Sequence, residues 1–148
     1  MSEGRFVLTR IGQTLVATLE GAADAGCLQS MAKALSDECA RQRADSVVFE
    51  VSGCEVIDLD EFLDLRKVVQ TVEFLGLRCA IAGLRPGTVA YLASAGVLVG
   101  HLRTSLDLEH ALLDLNDAEV ADEAEAAETN DDNKDTEHDG ETDYPGPL

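Results

Sequence analysis

Three carboxylates crowd the stretch Asp58-Leu59-Asp60-Glu61. Carboxylates placed together can divide acid and base duties between them. Asp58 and Asp60 are two apart, however, so on a helix their side chains diverge. No His, Lys or Cys in the sequence neighbourhood completes a catalytic set, and no catalytic residue is assigned. The histidines fare no better as metal ligands. His101 and His110 are nine apart without adjacent donors, and His138 sits in an acidic stretch, so no metal is expected. The four cysteines, Cys27, Cys39, Cys54 and Cys79, contain no C-x-x-C pair and lie inside apolar segments. They read as buried free thiols of a reducing cytosol. Gly83-Leu84-Arg85-Pro86-Gly87 joins glycine to a helix start, which can cradle an anion. It lacks the Gly-Lys-Ser/Thr ending of a Walker loop, and no nucleotide or other cofactor is expected. Arg85 there either anchors the turn or pairs with an acid. Ser52, Thr88 and Ser94 read as ordinary turn or helix residues.

These residues need elements to hold them. Arg5–Ile11 and Thr14–Leu19 are β-rich around Gly12-Gln13, which predicts a hairpin. Leu28, Met31, Ala32, Leu35 and Cys39 recur at helical spacing and predict an amphipathic helix over Ala25–Arg43; Met31 on that stripe is a core residue. Ser46–Val51 is a β-branched run of sheet-interior type, followed by an expected turn at Ser52-Gly53. An acidic cluster then opens a second helix, whose stripe runs from Phe62 to Leu75 and stops at Gly76. Leu77–Ala82 is the next strand. Pro86 suits the first turn of a helix reaching Ala95. Val97-Leu98-Val99 and His101–Thr104 are expected to be extended. Leu106 to Leu115 form a last helix, capped by Ser105 or Asp107. Alternating strands and helices give an α/β domain with a mixed, mainly parallel sheet over residues 1–115.

Charge is unevenly spread over the 148 residues, whose formal net charge is -18. Residues 116–148 hold 13 acids and one Lys, against 16 acids and 10 Lys+Arg in residues 1–115. Neither part offers a basic footprint for nucleic acid or an anionic membrane. Residues 116–148 are too polar to offset ordering entropy and are expected to form a disordered acidic tail. That tail serves either solubility or a partner. No stretch reaches the ~18 apolar residues of a membrane span, and the N-terminus lacks a signal-peptide pattern. A cytoplasmic location is therefore expected. Aromatics make up 4% with no Trp, so the core must be built from Val, Leu, Ile and Ala.

The ordered set of pieces resembles the STAS domain, the sulphate transporter and anti-sigma factor antagonist family. Within it the chain is most similar to the S-type stressosome scaffold. The resemblance is carried by Ile11-Gly12-Gln13-Thr14-Leu15-Val16, Val48–Gly53, Val56-Ile57-Asp58, Leu75-Gly76-Leu77, Ala82–Pro86 and Leu102–Leu108. It covers about residues 5–115. It implies a mixed sheet flanked by helices and work by protein–protein contact, with other STAS scaffold proteins, a switch kinase or an anti-sigma factor, in a homo- or hetero-oligomer. It also implies a phosphoacceptor Ser or Thr after the Asp that opens the second helix, where the added charge favours the helix N-terminus.

Here that position is Leu59, which has no hydroxyl. A second family phosphorylation position falls at Tyr91, with Thr88 three residues earlier. The expected function is a non-enzymatic scaffold or anti-sigma factor antagonist with its usual switch disabled. Its docking face would comprise Ser52, Asp58, Leu59, Asp60, Arg85, Pro86, Thr88 and Tyr91. Asp60 could supply a fixed charge in place of phosphate, while Asp58, Asp60 and Glu61 could equally serve as helix caps. The alternative is a STAS subunit of a lipid-transport ABC ATPase complex; a hydrolase built on the acidic cluster ranks third.

Overall fold

The computed structural model describes residues 3–97 and 102–117. A five-stranded sheet runs in the order β1-β2-β3-β4-β5, the order of the chain itself. Strands β1 (Arg5–Ile11) and β2 (Thr14–Glu20) form the expected antiparallel hairpin about Gly12-Gln13, with Gly12 at φ +61°. Strands β3 (Ser46–Gly53), β4 (Arg78–Ala82) and β5 (Thr104–Ser105) each add in parallel to the strand before. Helices α1 (Ala25–Arg41), α2 (Leu59–Phe74) and α3 (Pro86–Ser94) make the crossovers, and α4 occupies 108–117. Contacts divide the chain into Met1–Leu115 and Asn116–Leu148. The extended piece expected at Leu98, Val99 and His101 lies outside the described residues, as does the tail expected to be disordered over 116–148 except for residues 116 and 117, which continue α4.

Side-chain alternation along the strands builds two cores, one on each face of the sheet. Leu15, Ala17 and Leu19 of β2, Val47, Phe49 and Val51 of β3, and Cys79 and Ile81 of β4 point to one face. Cys27, Leu28, Met31 and Leu35 of α1 pack there, with Phe62, Leu65, Val68, Val69 and Val72 of α2. The intervening residues Val48, Ala80 and Ala82 point the other way and are covered by Ala111 and Leu115 of α4. Strand β3 is thus buried on both faces, which its unbroken apolar run requires.

Three expectations need correction. Ser52 and Gly53 continue β3 instead of turning: Glu20 pairs with Gly53 across a register shift, and Gly21 N–H donates to Gly53 O (3.2 Å). The turn follows at Cys54, whose N–H donates to Val51 O (3.0 Å). Helix α1 stops at Arg41, two residues short of Arg43, because Gln42 is extended and the Arg43 carbonyl receives the Arg10 guanidinium. Cys39 is half-buried, whereas Cys27, Cys54 and Cys79 are buried, and all four thiols are free. Between the two cap candidates for the last helix, Asp107 takes the role: His110 N–H donates to its Oδ1 (2.9 Å).

The ends of β3 and β4 meet closely at Gly83 (φ +86°), where an added Cβ would lie 2.8 Å from Ser52 N and Cβ and from Glu50 Oε1. At Gly12 a Cβ would meet nothing within 4 Å. Gly12→Ala should therefore cost only the left-handed backbone term, about 1–2 kcal/mol. Gly83→Ala adds a backbone clash and should cost visibly more; paired urea unfolding curves check the ranking.

The α4 cap carries its own pH signature. Hydrogen bonds from His110, first its backbone N–H and then its ring, hold the Asp107 carboxyl below its ordinary value; the same ring bond raises His110. Asp107's contribution is present above the ordinary carboxylate value of 3.8 and is lost as pH falls through its lowered folded value. His110's contribution is full below 6.5 and is lost as pH rises through its raised folded value. The cap should be firmest between these limits. His110→Ala should flatten the fall in Tm as pH rises above 6.5, which thermal unfolding across buffers measures.

Candidate functional site at the carboxyl ends of β3 and β4

Adjacent parallel strands deliver their following helices to the same end of the sheet, leaving a crevice between the two helix starts. Here β3 leads to α2 and β4 leads to α3. The loop after β3 is pinned from within: Cys54 and Ile57 are each 3% exposed, while Val56 between them is 72% exposed. Burying its neighbours forces Val56 outward.

Helix α2 opens on a reciprocal cap. Glu61 N–H donates to Asp58 Oδ1 (2.8 Å), and Asp58 N–H donates to Glu61 Oε1 (3.1 Å). This satisfies two otherwise orphaned N–H groups at the helix start. Helix α3 opens differently, with Arg85 at the N-cap, no side-chain cap, and Pro86 in the first turn.

Between the two starts lies a cleft of about 310 Å³, lined by Glu55, Val56, Ile57, Asp58, Gly87, Thr88 and Tyr91. Of the eight residues expected at the docking face, the structure brings three together here: Asp58, Thr88 and Tyr91. Leu59 is elsewhere; it is half-buried and packs against the main core. Asp60 is exposed on the first turn of α2. Ser52 ends β3 against Gly83, its N–H donating to Glu50 Oε1 (2.7 Å). Arg85 is exposed and makes no ion pair among the described residues, so it anchors nothing by charge. Pro86 faces a separate groove on the other side of α3.

Sequence reasoning missed Glu55, Val56, Ile57 and Gly87 as lining. The available signal was Val56-Ile57 itself, an apolar pair inside an acidic stretch where only one member can be buried.

The cleft contributes two carboxylates, two hydroxyls and an apolar floor. Among the described residues that line it there is no Lys, Arg, His or Cys. Cys54 lies in the same loop, but burial first, then the carboxylate of Glu61, Cys27 and the carboxylate of Glu20, push its thiol up to about 11. Burial likewise raises Cys27 and Cys39, and raises Cys79 most of all. No three His, Cys, Asp or Glu side chains converge as a metal site among the described residues. No helix among them is long and apolar enough to cross a membrane.

Among solved structures, a serine-to-glutamate variant of RsbS from Moorella thermoacetica matches with TM-score 0.66 and 21% identity, over 77% of this chain and 97% of that one. A chain from the molecular architecture of the stressosome, a signal integration and transduction hub, matches with TM-score 0.64 and 19% identity, over 76% and 97%. The chain has the STAS fold. A third STAS structure, the anti-sigma factor antagonist SpoIIAA in its unphosphorylated form, matches with TM-score 0.54 and 14% identity, over 74% and 94%. Comparison with family models and with curated protein sequences gives no match. The STAS fold accounts for the arrangement just described: a mixed sheet of five strands, flanked by helices, with two helix starts side by side at one end.

Asp58→Ala should remove the cap bond to Glu61 N–H and cost about 1 kcal/mol, with Asp58→Asn close to neutral. Leu59→Ser should cost about 1 kcal/mol through lost apolar burial. Asp60→Ala should stay within about 0.5 kcal/mol. Chemical denaturation of the four variants tests this order.

Proposed function

We propose that this chain is a non-enzymatic STAS regulator that holds a protein partner at the cleft between the starts of α2 and α3. The observation that carries the reading is the pairing of exposed apolar groups with fixed acids at one spot. Val56 is 72% and Tyr91 50% exposed, and both line a cleft with Glu55 and Asp58. Aromatic and apolar anchors ringed by polar groups are what protein interfaces use.

The role is that of a scaffold or anti-sigma factor antagonist. Its partners are other STAS scaffold proteins, a switch kinase or an anti-sigma factor. The similar structures support this class: RsbS, a stressosome chain and the antagonist SpoIIAA. Leu59 sets this chain apart in kind. The residue after the capping aspartate is tied into the core and cannot accept phosphate. The docking face therefore keeps one charge state, set by Glu55, Asp58 and Asp60, and is not switched at that position.

The test is affinity purification of the full chain from its native cell, beside a Val56→Glu/Tyr91→Ala double variant. Both side chains are solvent-facing, so the fold should survive, which circular dichroism verifies. Loss of a kinase, an anti-sigma factor or STAS partners from the variant is the expected result. Unchanged retention of the same partners defeats the proposal. Incubating a recovered kinase with wild type and Leu59→Ser should label the variant alone within residues 52–60; label on wild type there would show that the switch is not disabled.

A further inference from the structure

The cleft between the starts of α2 and α3 has both a sign and a shape. Glu55 and Asp58 bring carboxylates to its wall. Asp60 and Glu61 add two more on the first turn of α2. Against them stand the two helix starts, each worth about half a positive charge, and Arg85, which precedes α3 and does not line the cleft. No other Lys, Arg or His occurs in residues 44–65 or 85–96. Four acids against about two positive charges leave this junction negative by about two units.

These acids are only partly engaged. Asp58 Oδ1 accepts from Glu61 N–H, and the second oxygen of Asp58 has no bond among the described residues. Glu55 and Asp60 are exposed, and neither makes a side-chain hydrogen bond or ion pair among the described residues. The shape comes from Val56, Tyr91 and Gly87. Val56 and Tyr91 present an aliphatic and an aromatic surface to solvent. Gly87 lines the same cleft, and a Cβ added there would meet nothing within 4 Å. The missing side chain leaves room on the α3 wall.

A tyrosine ring attracts a cation to its face, and carboxylates attract the same cation. Arginine satisfies both at once, because its planar guanidinium stacks on a ring and bonds a carboxylate through its edge. Its aliphatic stem covers apolar surface. Lysine carries the charge without the plane.

We propose that the occupant of this cleft is an arginine-bearing segment of the partner protein, with an apolar side chain beside the arginine. The guanidinium lies on the Tyr91 ring and bonds Glu55 and the second oxygen of Asp58. The arginine stem crosses Gly87, and the apolar neighbour packs on Val56. This inference rests on the docking proposed for the cleft and adds the chemistry of the partner: its contact surface is basic.

The experiment titrates the full 148-residue chain, isotopically labelled, with a blocked pentapeptide of sequence glycine-leucine-arginine-leucine-glycine, and follows backbone amide shifts by NMR. Saturable shifts at residues 55–58 and 87–91 are expected, with a Kd of about 0.1–1 mM. A citrulline peptide keeps the shape, loses the charge and should bind about tenfold more weakly. A lysine peptide should bind about threefold more weakly. Glu55→Gln and Asp58→Asn, the latter retaining the cap, should each weaken the arginine peptide about threefold. Tyr91→Leu should do the same, and Gly87→Leu should weaken it about tenfold by filling the cleft. Asp37→Asn, at an exposed position of α1, should change nothing.

Absence of saturable shifts at the cleft, equal binding of the citrulline peptide, or indifference to both Glu55→Gln and Gly87→Leu overturns the proposal. Shifts confined to residues 116–148 also overturn it, by assigning the arginine to the acidic tail. In the affinity purification, Glu55→Lys should release the same partners as Val56→Glu/Tyr91→Ala. Partners kept by Glu55→Lys but lost from the double variant leave docking at the cleft standing and overturn the arginine. Partners kept by both variants defeat the docking itself.

Discussion

Burial of β3 on both faces is the constraint from which the rest follows. Val47, Phe49 and Val51 must be covered on one side and Val48 on the other. That demands helices above and below and a strand on each flank. Only a parallel neighbour reached by a crossover helix provides cover and pairing at once. The same demand places the exit of β3 beside the exit of β4, with Gly83 allowing the two chain ends to touch. The cleft exists because two helices must start there, and its shape is inherited from strand packing.

Much of this was legible in the residues. Apolar spacing located the hairpin, α1, α2 and the last helix, and apolar runs with turn residues located β3, β4 and α3; of β5 only Thr104 fell inside the expected extended piece, because a two-residue strand carries no periodic signal. The cap of α2 was legible too, as Asp58 followed three residues later by Glu61. Long-range pairing was less visible. Ser52-Gly53 has turn composition, yet an extra residue in β3 between Glu50 and Gly53 brings Gly53 opposite Glu20 and keeps the chain extended. Local preference lost to a partner more than thirty residues away.

The site shows the same division. Asp58, Thr88 and Tyr91 come together because strand order brings them together, and the resemblance to STAS proteins had already placed them in one region. Val56 could not be assigned outward until Cys54 and Ile57 were known to be buried. Leu59 was read for what it lacks, a hydroxyl. In three dimensions it matters for what it supplies: an apolar hold that fastens the first turn of α2 to the core. Arg85 was expected to brace its turn, but Pro86 and the close approach at Gly83 do that without charge, which leaves the arginine free toward solvent.

Strand order that copies chain order has a bearing on how the protein is made. A chain leaving the ribosome can lay each strand beside one already in place, and α1 follows β2 in time to shelter its apolar side before β3 arrives. No early strand waits unpaired for a distant late one, so nascent sheet edges are exposed only briefly. The exception is the α4 face, where Val48, Ala80 and Ala82 stay uncovered until the last helix emerges. Vectorial synthesis therefore leaves one patch of this small domain bare for longest, on the side of the sheet opposite α1 and α2.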